Sequence, residues 1–442
     1  MGRSRSRSAH DRWRLLMAAS VAACLVAGVV GVPSSGAVAK TNAVPGSHFD
    51  TRRGPLVPVV LGPAPPAVTR IDPPVTASGV SAAAATITVA YDNGFNANFA
   101  ARTAFQAAVN IWKTQVSSSV PITINASFVP LSAGVLGSAG PHTMLRTSSG
   151  ALPLANYWYP VALANSILGY DADPANPDIE AQFSNAFPSW YFGTDGNPGA
   201  GQADFETVVL HELGHGLGFI GTMQVSGGVG SWGAGTSSPA VYDHFTTSNG
   251  NPLLNFANSS VSLATALQTT SIQFAGSNAT AANGGTPPLL FAPNPWQPGS
   301  SYAHFDEAAY PAGDPNSLMT PAIGPGESIH NPGPLMLGLF KDLGWNPAAN
   351  TLGGYVVDGF GGIHSFAIGA NPPPAAVSGG PYWLGWDIAR GIAVLPDGTG
   401  GYVVDGFGGV HSFAIGANPP PPDVSGGPYW LGWDIARGIA LS

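Results

Sequence analysis

The sequence predicts an α+β fold rich in turns, followed by a small all-β module, and three observations lead there. Only 9% of the 442 residues are Asp, Glu, Lys or Arg, while Gly (59) and Pro (42) abound, a composition of loops and short elements that excludes a helix bundle. Strand-like alternation and helical spacing follow one another between Thr86 and Phe128. At the other end, residues 355–393 return nearly unchanged at 402–440, a period of 47 residues. A chain of this length exceeds one ordinary core, so two or three folded units are expected.

The elements are taken in order. Arg3, Arg5, Arg7, Arg12 and Arg14 precede an apolar run over 15–32 and the small residues Ala37-Val38-Ala39, the pattern of a signal peptide spanning 1–39. An uncleaved anchor and lipidation at Cys24 are the alternatives, and both would leave the protein attached to the outer face of a membrane. Cys24 is the only cysteine, so a chain starting at Lys40 has no disulfide and no thiol to hold an enzyme latent. Removal of 1–39 takes away five arginines and Asp11, which moves the net charge from −9 to −13 and argues against a nucleic-acid partner.

Residues 40–84 are Pro- and Val-rich without helical or strand periodicity, and read as a propeptide or a Pro-rich linker. The basic stretch Thr51-Arg52-Arg53-Gly54 offers a cutting site. The main domain is expected over 85–348. Residues 87–91 alternate like a strand, 99–116 carry Phe105, Ala108, Ile111 and Trp112 at helical spacing, and 121–128 read as a second strand, which implies a crossover in a mixed sheet. Residues 179–187 read as a further strand, at the edge of the sheet. A helix then starts at Asp204, which suits the N-cap, with Glu206 at the positive end of its dipole and Gly218 at its C-terminal turn. Residues 353–442 form the two β-repeats, in which His364 and His411 read as packed strand histidines.

The chemistry lies in His211-Glu212-Leu213-Gly214-His215-Gly216-Leu217-Gly218-Phe219. Residues four apart share a helix face, so His211 and His215 can present imidazole nitrogens to one ion, and Glu212 stands beside them as a candidate general base. A catalytic zinc needs three protein ligands and an open position. The third ligand stays open on the residues alone: Asp243 and His244, His304, Asp306, Glu307 and His330 are candidates. No glutamate lies between Glu212 and Glu307.

The nonapeptide resembles the HExxHxxG core of the metzincin metallopeptidases, in which a third histidine follows the glycine and a methionine turn underlies the metal. The compact spacing places Gly221 where that histidine would fall. The chain is instead similar to the leishmanolysin-like branch, which carries a long insertion before the third histidine. That resemblance implies His304 as third ligand, 86 residues beyond Gly218, and Met319 as the turn beneath the metal. It covers roughly residues 85–347, with its specific motifs confined to about forty residues, and the lack of cysteines departs from the cysteine-rich members of the branch. The implied protein is a secreted, extracellular zinc-dependent endopeptidase of metzincin type acting on a protein or peptide substrate. The repeats would take a cell-surface or polymer ligand. The alternative class is a surface binding protein whose zinc domain is only a scaffold.

Overall fold

The computed structural model describes residues 49–74, 85–345, 353–367, 374–395, 399–416 and 418–441. The expected signal peptide lies outside them. The fold is mixed α+β with several sheets and few helices, and it divides into two compact units. The first is built from residues 49–73, 86–113 and 118–345, and the second chiefly from 353–441. Among the described residues no helix is long and apolar enough to cross a membrane.

A six-stranded sheet organises the first unit. Strand β4 (Ile87–Tyr91) leads through helix α1 (Phe99–Gln115) to β5 (Ile122–Val129), and the two strands are parallel neighbours. The inward residues of β5, Ile122, Ile124, Ala126 and Phe128, are all buried, as period-two alternation requires of a strand with one covered face. On α1 the residues at helical spacing, Ala104, Phe105, Ala108, Ile111 and Trp112, are the ones that turn inward.

Residues 49–74, expected to be structureless, form three strands that join this unit: β1 (Asp50–Arg53), β2 (Val57–Leu61) and β3 (Thr69–Ile71). β1 pairs with β7 (Thr143–Arg146), which in turn pairs with β8 (Tyr159–Pro160). β2 pairs antiparallel with β6 (Val135–Pro141). The strand expected over 179–187 runs as β9 (Ile179–Ser184), and it is not an edge: it lies between β6 and β5, with both sides hydrogen-bonded. Its apolar alternation reports a buried strand but carries no information on neighbours. The full order ends with β10 (Ala322–Ile323) and is β10-β2-β6-β9-β5-β4. Farther on, β11 (Glu327–Ile329) pairs with β3.

Helix α2 (Phe205–Leu217) crosses the sheet and is buried along its whole length. Asp204 caps it by accepting the Thr207 N–H at 3.0 Å. Two indoles pin its flanks: Trp112 Nε1 donates to the Leu210 carbonyl at 3.0 Å, and Trp345 Nε1 donates to the Leu217 carbonyl at 2.8 Å. Helix α3 (Gly333–Leu343) closes the unit, with Phe340 packed against Trp112 at 5.4 Å between ring centres.

In the second unit each repeat forms a hairpin. The first is β12 (Gly353–Val357) with β13 (Ile363–Ala367). A four-stranded sheet contains β14 (Val377–Ser378), β15 (Ala389–Val394), β16 (Gly400–Asp405) and β17 (Val410–Ile415), in the order β14-β17-β16-β15. The repeats are thus tied by β15 of the first to β16 of the second. His364 and His411 make equivalent bonds to Asp358 and Asp405, at 2.8 and 2.9 Å.

The close passage of α2 over the sheet depends on Gly216, where a Cβ would lie 2.5 Å from Cγ2 of Ile179. Gly216→Ala should destabilise the protein by about 1–3 kcal/mol through this overpacking. Urea denaturation measures it, and an unchanged midpoint would contradict the packing.

Candidate metal centre

Helix periodicity brings His211 and His215 to one face of α2, and the turn after the helix completes their setting. Gly218 adopts φ 137°, and Phe219 N–H bonds back to the Gly214 carbonyl at 3.0 Å. That reversal aims the Phe219 carbonyl at His215, whose Nδ1 lies 2.8 Å away. His211 Nδ1 meets the Leu318 carbonyl at 2.6 Å, and His304 Nδ1 meets the Ser300 carbonyl at 2.7 Å. A carbonyl oxygen only accepts, so in all three rings Nδ1 carries the proton and Nε2 is a bare lone pair.

The three lone pairs converge. His215 Nε2 lies 3.1 Å from His211 Nε2 and 3.3 Å from His304 Nε2. All three rings are completely buried. Burial lowers the pKa of His211 to about 4; burial and then the neighbouring His211 lower that of His304 to about 3; and that of His215 falls well below its ordinary value, chiefly through burial. Neutral imidazoles with facing lone pairs repel one another in a dry pocket. A divalent transition ion removes that conflict, and three imidazole nitrogens with carbonyl-anchored Nδ1–H groups are a donor set that such an ion fits. Among the described residues this is the one group of three or more ionisable side chains gathered as a metal site would need.

The chain brings His304 there through short backbone pairings. Phe291 N–H bonds the His304 carbonyl at 2.9 Å, Tyr302 N–H bonds the Phe291 carbonyl at 2.7 Å, and Phe305 N–H bonds the Met319 carbonyl at 2.8 Å. Met319 ends a buried 3-10 turn, Ser317–Met319, under α2. A Cβ on Gly214 would sit 2.9 Å from Met319 Sδ, so the helix needs glycine where the turn touches it. The same turn supplies the Leu318 carbonyl to His211.

Glu212 is fully buried beside His211. Its Oε1 accepts the Val59 N–H at 3.0 Å, and its Oε2 has no partner. Burial raises its pKa well above the carboxylate range. A Cβ on Gly137 of β6 would come within 3.1 Å of Glu212 Cγ, so the strand and the carboxylate are in direct contact.

The other candidates for a third ligand lie elsewhere. His244 is exposed, with its nearest polar partner the Tyr157 hydroxyl at 3.4 Å. Asp243 has a different part: it accepts the Thr222 N–H at 2.9 Å, the Ala240 N–H at 2.7 Å and the Tyr302 hydroxyl at 2.9 Å. It thereby ties the turn after α2 to a residue two before His304, a role that its place in the sequence did not reveal. Asp306 accepts the N–H groups of Ala308 and Ala309. His330 bonds Asp204 at 2.7 Å. The Glu307 carboxyl is raised to about 8 by burial and then by the nearby Glu327.

A family model described as SPBPB7E8-like matches residues 98–227, the stretch from α1 to just past α2. It takes in His211, Glu212 and His215 and stops short of His304. No curated protein matches the chain, and no solved structure does.

Removing one of three converging nitrogens leaves a divalent ion with two protein ligands. His304→Ala should therefore weaken zinc affinity by at least about tenfold, whereas His244→Ala should leave it nearly unchanged. Competition with a chelator at fixed pH separates them, and the reverse ranking would contradict this donor set.

Proposed function

We propose that the first unit is a zinc-dependent endopeptidase of metzincin type, leishmanolysin-like in the long insertion before its third histidine, and that it acts outside the cell. The observation that carries this reading is the convergence of three neutral imidazoles, with His215 Nε2 at 3.1 and 3.3 Å from those of His211 and His304, and a buried carboxyl group one residue along the same helix. His211, His215 and His304 hold the ion. When bound, it supplies Lewis acidity, polarising a substrate carbonyl and making water more acidic.

The rest is done by side chains and backbone. Glu212 follows a ligand directly in sequence, and its unpartnered Oε2 is the atom available to take a proton from water and return it to the departing amine. Leu318, Phe219 and Ser300 keep the rings from turning, through their carbonyls. Met319 backs the helix at Gly214 and supports the position of His211 through its turn. The repeats expose Trp386, Tyr429 and Trp433, which favours a separate binding role for them toward a cell-surface or polymer ligand.

Glu212→Gln keeps an oxygen to accept the Val59 N–H and removes the proton acceptor. It should lower hydrolysis of a short peptide by at least about a hundredfold with zinc content unchanged. Activity above a few per cent of wild type would remove Glu212 from the base's role. Deletion of residues 353–442 should leave short-peptide hydrolysis nearly intact, because every proposed site residue lies before Trp345. A truncated protein that folds and binds zinc but cleaves none of the peptides cleaved by the full chain would refute that separation.

A further inference from the structure

The two repeats have nearly the same sequence and unequal surroundings. In the four-stranded sheet the hairpin of the second repeat, β16 with β17, lies between two strands of the first, β15 beside β16 and β14 beside β17. The hairpin of the first repeat, β12 with β13, has no such flanks: among the described residues those strands pair only with each other. Burial records the difference at identical residues. Val403 of β16 and Phe413 of β17 are 0% exposed, whereas their counterparts Val356 and Phe366 are 54% and 43% exposed.

The second repeat in turn carries the flanking segments with no hairpin between them. Ile388, which leads into β15, is 2% exposed, and its counterpart Ile435 is 48% exposed. Ile435 and Ala436 donate to the Gly406 carbonyl at 2.9 and 3.0 Å, as Ile388 and Ala389 do to that of Gly359 at 2.7 and 2.9 Å, so both segments start from the same anchor. From there residues 389–394 become β15, while 436–441 form no strand and pass close to Gly391 without pairing to it. Composition does not separate the two, since Ala-Arg-Gly-Ile-Ala stands in both and only Val394 and Leu441 differ. What 436–441 lack is a partner strand. Val424 and Ser425, the counterparts of β14, are likewise exposed and outside any strand.

We propose that the repeat module joins copies of this chain head to tail, residues 436–441 of one copy adding to β12 of the next as β15 adds to β16. The inference does not depend on the peptidase reading. An open strand edge takes up an extended segment through main-chain hydrogen bonds, and this chain carries a segment already fitted to that edge. The register follows from the pairing inside the chain, where Ile392 faces Val403 and Ala393 faces Tyr402. Moved by one period of 47 residues, it sets Ile439 opposite Val356 and Ala440 opposite Tyr355 of the next copy, with Val424 and Ser425 along its β13. The charges agree. Arg390 Nε donates to Asp434 Oδ1 at 2.9 Å, tying the first repeat to the second, and the corresponding pair across the junction, Arg437 and Asp387, is exposed on both sides. Because the two surfaces that meet are different, the association is heterologous, a ring if the rotation closes and a row of copies if it does not.

Sedimentation tests the surface and a cysteine pair tests the register; neither readout involves zinc or hydrolysis. The weight-average mass of the full chain should rise at least about twofold from micromolar to millimolar concentration, and that of a variant lacking residues 436–442 should not rise. Val356→Cys and Ile439→Cys, each made in a Cys24→Ser chain, should form a disulfide-linked pair when mixed and air-oxidised, because facing residues bring their Cβ atoms within bonding reach. Neither variant should link when oxidised alone. Mixing Val357→Cys with Ile439→Cys, one residue out of register and on the other face of the strand, should give at least about tenfold less linked product. A full chain that stays single over the whole range, equal association of the shortened variant, or linkage indifferent to register would each overturn the proposal. The linkage comparison holds even if the shortened variant fails to fold.

Discussion

Three imidazole Nδ1–H groups, each held by a backbone carbonyl, determine what the centre of this protein can be. The carbonyls of Leu318, Phe219 and Ser300 belong to three separate turns. Leu318 lies in the turn under Gly214, Phe219 follows the glycine reversal that ends α2, and Ser300 lies two residues before Tyr302, whose hydroxyl donates to Asp243. With the Nδ1 protons committed, the Nε2 lone pairs have nowhere to point except at one another. Facing lone pairs in a dry interior are unfavourable by themselves, so the fold places its strain where a cation relieves it.

Such a centre needs a rigid support, and α2 is braced at both ends and along its sides. At its start Asp204, Thr207 and His330 form a buried set in which Asp204 caps the helix and also bonds the histidine. Burial favours neutral His330, yet the bond to Asp204 and the nearby charge of Glu206 prevail, and its pKa is raised. Trp112, which precedes the helix in the chain, and Trp345, which follows it, both donate to its carbonyls. A helix held this way presents its imidazoles within the few tenths of an ångström that metal ligation demands.

How much of this could be read from the residues alone follows from the range of the interactions. His211, Glu212 and His215 were legible because an i, i+4 spacing is a local property of one helix. Asp204 and Gly218 were legible for the same reason, since caps depend on two or three neighbours. His304 came only from a resemblance to a family, because nothing in its immediate surroundings distinguishes it from His244; their difference is one of burial and of distant partners. The position of β9 was misread because alternation identifies a strand but not which strands flank it. β6 was missed, as Gly137, Gly140 and Pro141 give it the composition of a loop. β2 was missed too, being five residues long with Pro58 inside it, and the bond from Val59 to Glu212 spans 153 positions.

The central claim is that these three histidines form one zinc site, and zinc K-edge X-ray absorption of the purified, zinc-loaded chain tests it most directly. The account predicts one ion per chain with three imidazole nitrogens at about 2.0–2.1 Å. A protein that takes up no zinc, or an absorption pattern with fewer than three imidazole scatterers, would contradict it.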